Sequence, residues 1–193
     1  MNAIKQLEKV PGMLAQDKAS ALLVYKGLKP TALVIVEGDT FKDVHAPVRV
    51  ATETIRSIET IFSELALKHT KTVEVMNAQG DSFVEVVRFF IAPDQSSANT
   101  LKLLFDDVSA HHAEIGRLLG YPETAVEAFL TPNMLDQEDV PESTQEVSRL
   151  NMHLLGHRLS KEHWRDEVQY LERCGEYIKS VSPLIYNEIT KEE

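Results

Sequence analysis

Two groups of histidines are the residues with most scope for chemistry in this chain. His153 and His157 stand four apart. On a helix both rings project from one face and could hold a divalent metal ion between them. A third ligand would come from His163, or from His111 or His112 by folding. The zinc-hydrolase pattern needs a glutamate directly after the first histidine to act as base. Leu154 stands there, so that pattern fails, and Gly156 weakens a helix between the pair.

The second group is His111-His112, followed by Arg117 and Tyr121. The two rings flank an apolar stripe, and Asp106, Asp107 and Glu114 are near enough in sequence to orient an imidazole. A helix opening at Pro122 would present free N–H groups to an anion, with His111, His112, Arg117 and Tyr121 as ligand-binding partners. Glu123 in its first turn already supplies negative charge there. A purely structural account also covers this block: Gly120 caps one helix, Pro122 starts the next, and Tyr121 and Phe129 pack the corner. Cys174, the only cysteine, falls on an apolar stripe and reads as a small hydrophobe rather than a nucleophile. There is no nucleophile elbow, phosphate loop or dinucleotide fingerprint.

These residues must be positioned by a mixed set of elements. Residues 3–9 read as a short helix stopped by Pro11-Gly12, and Asp17 can cap a second helix that ends at Gly27. The run 32–36 reads as a buried strand closed by Gly38-Asp39. Pro47 can open a long helix to about His69. Alternation over 72–76, turn residues at 77–81 and a Val/Phe-rich run over 82–92 predict a hairpin. Ser97 or Asn99 can cap a helix whose stripe runs from Leu101 to Leu119. Residues 131–146 are acidic and polar, and 131–142 is where a domain boundary would fall if the 1–193 unit were divided. Ser143 with Glu146 fits a capping box; residues 147–158 fit either helix or strand. Ser160 can cap a last long helix broken by Pro183, with a charged tail beyond. The expected fold is therefore α+β, a single domain with a small, mainly antiparallel sheet of three or four strands and about five helices.

The stretch from His111 to Phe129, with its Gly-Arg-Leu-Leu-Gly-Tyr-Pro core, resembles a block in a family of small uncharacterised prokaryotic proteins, many of them archaeal. Gly27-Leu28-Lys29-Pro30 is similar to a second element of the same proteins. The two blocks cover about a tenth of the chain. Thr124 and Ala125 stand where that family often has paired cysteines, so any thiol role of the pair is absent here. The resemblance implies a soluble prokaryotic protein and carries no established activity.

Composition narrows the function. Of 193 residues 43% are apolar and 26% charged, a globular balance. Thirty acids against 20 basic residues give a net charge of −10, which disfavours nucleic acid and anionic membrane as partners. The corner at 98–130 could be read as a DNA-binding helix–turn–helix, but its second helix carries Glu123 and Glu127 and no Lys or Arg. No apolar run is long enough to span a bilayer, and the amphipathic first ten residues lack a secretory core, so a cytoplasmic location is the default expectation. The almost continuous apolar run Val84–Ile91 reads as a strand buried on both faces or lying in an interface. With few strands in the chain a second copy could cover one face, which suggests a homodimer with the sheet or the terminal helix as the contact. The leading expectation is a small-ligand or protein-binding domain that self-associates. The alternative is a metal-dependent, hydrolase-like enzyme using clustered histidines.

Overall fold

The structure, a computed structural model, describes every residue except 1, 46, 79, 137, 138, 140–157, 192 and 193. The fold is α+β. Strands β1 (Ala32–Phe41), β2 (Lys68–Asn77) and β3 (Phe83–Ala92) form an antiparallel sheet in the order β1-β3-β2. The β2–β3 hairpin closes through the Ala78 N–H donating to the Ser82 carbonyl at 2.7 Å. Helix α3 (Thr52–Glu64) carries the chain from β1 to β2, so the last strand in sequence lies between the other two.

That order explains the β3 sequence. Cross-strand partners share a face, and alternate residues point oppositely. Val87, Phe89 and Ile91 lie opposite Val36, Val34 and Ala32 and join the main core. Val86, Phe90 and Ala92 are buried on the reverse face. A central strand covered on both faces reads as a continuous apolar run. One chain accounts for it, and the argument from β3 to a second copy loses its premise.

The main core face is covered by α1 (Asn2–Leu7), α2 (Ala15–Lys26) and α3, together with α7 (Trp164–Val181) and α8 (Pro183–Lys191). Phe62 of α3 meets Phe89 edge-on at 5.6 Å, both fully enclosed. Truncating either to alanine would cost about 3–5 kcal/mol. The reverse face carries α4 (Gln95–Phe105), through Ala98, Leu101 and a Phe90–Phe105 ring contact at 5.6 Å. Two short helices, α5 (His112–Leu118) and α6 (Glu123–Leu130), form a corner beyond it.

Several local expectations are corrected. Asp17 does not cap α2; the helix begins two residues earlier, and Asp17 is buried in its first turn. β1 runs through Gly38-Asp39 to Phe41, with a register irregularity between Glu37 and Thr40 that absorbs the glycine. Pro47 stands outside α3, which starts at Thr52, and Lys68 and His69 already belong to β2. Asp94, not Ser97 or Asn99, caps α4: its carboxylate accepts the Ser97 N–H at 2.9 Å. The stripe from Leu101 to Leu119 is broken at 106–111, where a short 3-10 turn (Val108–Ala110) separates α4 from α5. The segment after Pro183 is helical, since Ile185 and Ile189 have an apolar surface to bury against. These breaks and additions bring the helices among the described residues to eight. The Ser143–Glu146 box and most of 147–158 lie outside the described residues.

Candidate functional site

Gly27 ends α2, with its N–H bonded to the Val24 carbonyl and the Leu28 N–H to that of Leu23. The chain then turns through Lys29-Pro30 into β1. This loop meets the α5–α6 corner at backbone range. The Thr31 hydroxyl donates to the Leu118 carbonyl at 2.5 Å. Gly120, at φ +82°, leaves little room for a side chain: a Cβ there would lie 3.0 Å from Pro30 Cδ and 3.4 Å from Lys29 Cα. Both the left-handed backbone and the close approach call for glycine. The two segments that carry the sequence resemblance, about 90 residues apart, thus touch.

Between them and the first half of α7 opens a cleft of about 470 Å3. Leu28 and Pro30 form one wall; Arg117, Gly120, Tyr121, Pro122 and Thr124 form the second. The third is a stripe of α7, Asp166, Glu167, Tyr170 and Arg173. Residues four and three apart share a helix face, which aligns Asp166, Tyr170 and Arg173. The Tyr170 hydroxyl donates to the Leu28 carbonyl at 2.6 Å and ties this wall to the loop. Glu167, 1% exposed, receives Thr124 Oγ1 at 2.6 Å, Ser160 Oγ at 2.6 Å and the Ser160 N–H at 2.8 Å. Ser160 in turn accepts the His163 N–H at 3.1 Å, in the turn leading into α7.

Behind the loop lies a second set of polar groups. Lys29 is 4% exposed, and its ammonium reaches Ser20 Oγ at 3.4 Å. Burial pushes its pKa down to about 8, against the opposing pull of Cys174 and Asp17. Asp17 is raised to about 7, again by burial first, although the Ile35 N–H and Lys29 favour its charged form. Burial raises the Cys174 thiol and outweighs the lowering pull of the Tyr170 hydroxyl, Lys29 and Arg173, so it is no ready nucleophile.

The expected site residues divide. Arg117 and Tyr121 line the cleft, and Tyr121 also borders a separate hollow of about 360 Å3 between α5 and α6. His112 lines that second hollow, where its ring meets Phe129 edge-on at 5.8 Å. His111 sits half-buried at the start of α5 and lines neither. Arg117 is not a free anion receptor: its Nε donates to Glu123 Oε2 at 2.8 Å and its Nη2 to Oε1 at 2.5 Å. His163 borders a third hollow, beside Asn133 and Ser160. His153 and His157 lie outside the described residues. Among the described residues no three of His, Cys, Asp and Glu stand close enough to share a metal ion.

Asp17, Lys29, Glu167, Tyr170 and Arg173 drew no functional expectation from the sequence. The 166–170–173 spacing was visible, but the same spacing marks any solvated helix face. No family model, curated protein or solved structure matches the chain.

Proposed function

We propose that this chain is a binding domain for a small organic ligand, and that the cleft between the Gly27–Thr31 loop, the α5–α6 corner and α7 is its site. The observation that carries this is the Gly120 contact. Two remote loops are held at backbone distance, and their junction opens a concavity of the size and mixed apolar and polar lining that small ligands occupy. A fragment screen on 15N-labelled protein tests it. Shift changes are expected to gather on Leu28, Tyr121, Thr124, Tyr170 and Arg173. Changes that gather elsewhere, or nowhere, overturn the assignment.

Self-association belongs to the same reading, through the open edge of the sheet. β2 is an edge strand, and Val73, Val75 and Met76 are 48%, 41% and 40% exposed. A ten-residue edge with exposed apolar side chains favours pairing with another strand. Sedimentation of the wild type against Val75→Lys checks this: a dimer dispersed by the substitution is expected, and a monomeric wild type removes the idea. Among the described residues no observation favours the metal-dependent alternative.

A further inference from the structure

Charge is unevenly placed along the α7 wall of the cleft. At its N-terminal end, Glu167 is buried, and every hydrogen bond it receives from the described residues comes from a neutral donor, Thr124 or Ser160. No cation stands at ion-pair distance from it among the described residues. Among the described residues its charge is met by hydrogen bonds and not by an opposite charge. Asp166, beside it and exposed, adds a second carboxylate at the surface.

Two turns on, the sign reverses. Arg173 lines the cleft without a carboxylate partner among the described residues, its guanidinium 5.9 Å from the Tyr170 ring. Arg117, the other arginine in the lining, is taken up by Glu123. Behind this part of the wall Lys29 lies between the lining residues Leu28 and Pro30, its hydrogen bond to Ser20 a long one at 3.4 Å. Buried charges act through protein with little screening by salt or water. Among the described residues the cleft thus has an electrical polarity, negative at the start of α7 and positive toward Arg173.

Spacing limits what fits. Asp166 and Arg173 are seven residues apart on one helix, about 10 Å along its axis. Two residues of extended peptide span about 7 Å, which two side chains leaning toward a guest from that spacing can bracket. Tyr170 stands between Asp166 and Arg173 on the helix, and Tyr121 and Pro30 add aromatic and proline surface to the lining.

We propose that the cleft selects a zwitterion of dipeptide size, with its ammonium toward Asp166 and Glu167 and its carboxylate toward Arg173. This rests on the cleft being a ligand site. The test titrates the full chain with Ala-Ala, N-acetyl-Ala-Ala and Ala-Ala amide, read by calorimetry and by amide shifts. Ala-Ala is expected to bind, and each blocked form to bind at least about tenfold more weakly, the loss of one charge-assisted contact. Asp166→Asn should erase the preference over the acetylated form, and Arg173→Gln the preference over the amide. Both positions are exposed, so neither variant threatens the fold. Equal binding of the blocked forms overturns the polarity argument and leaves the cleft as a site. Absence of binding by all three, with fragments still mapping to the cleft, overturns the zwitterion class alone. Failure of both overturns the site itself.

Discussion

Glu167 and Lys29 are about equally buried, 1% and 4% exposed, and they are held in opposite ways. Glu167 receives three hydrogen bonds of 2.6–2.8 Å from Thr124 and Ser160. Those bonds join α6, the turn before α7 and α7 itself. Lys29 has one bond of 3.4 Å to a serine hydroxyl, and Asp17, the acid that pulls its pKa upward, is itself raised to about 7 by burial. A buried charge with its bonding complete ties elements together; one left short of partners costs stability. Proteins keep such under-bonded groups chiefly where they serve something other than stability. Both groups adjoin the cleft, so its two ends rest on unequal supports.

The largest effect expected from this contrast is at Glu167. Glu167→Ala leaves three donors unpaired and should cost about 3 kcal/mol or more, a fall in Tm of roughly 10 °C for a domain this size. A loss much smaller than that would break the comparison at its firmer end.

Asp17 gives the next effect, and pH reveals its sign. Its folded pKa is raised from 3.8 to about 7, so the folded state favours the protonated acid. Stability from this group is full below about 3.8 and is lost as pH rises toward 7. Asp17→Asn should therefore raise Tm by several degrees at pH 7.5 and leave it little changed at pH 3.5, with the slope between those values flattened. A destabilised variant at pH 7.5 would show that the carboxylate is better bonded than its burial implies.

Lys29→Met should go the same way. Its folded pKa is lowered from 10.5 to about 8, so the destabilisation is full below 8 and fades as pH rises toward 10.5. Thermal melts at pH 7 should show an unchanged or higher Tm for the methionine variant, in contrast to Glu167→Ala. The smallest effect belongs to Arg117→Gln, since the exposed Arg117–Glu123 pair is bathed in solvent. Thermal stability should match wild type within error, and a clear loss would mean the corner depends on that pair.

Much of the local structure was legible in the chain. Gly27 and Gly120 mark helix ends because their roles are local, a left-handed residue closing the last turn. The β2–β3 hairpin announced itself by alternation and turn residues. Asp17 was misread because an acid near a helix start looks like a cap, and nothing nearby in sequence says that β1 will cover it. The helix at 183–191 was read as a tail because its apolar partners are α2 and α7, far off in the chain.

The candidate site was legible only in pieces. Arg117 and Tyr121 were chosen for their place beside the start of the helix at Pro122, yet Arg117 is spent on Glu123, and Tyr170 and Arg173 were passed over. Sequence by itself determined the elements whose signals lie within a few residues: the caps, the hairpin, the helix periodicities and the α+β class. Tertiary structure alone decided that β3 lies between β1 and β2, that Gly120 presses on Lys29-Pro30, and that Glu167 gains three donors while Lys29 gains one. The reason is range. A cap or a turn is satisfied by its own neighbours, whereas the burial and bonding of a charge depend on which distant surfaces close over it.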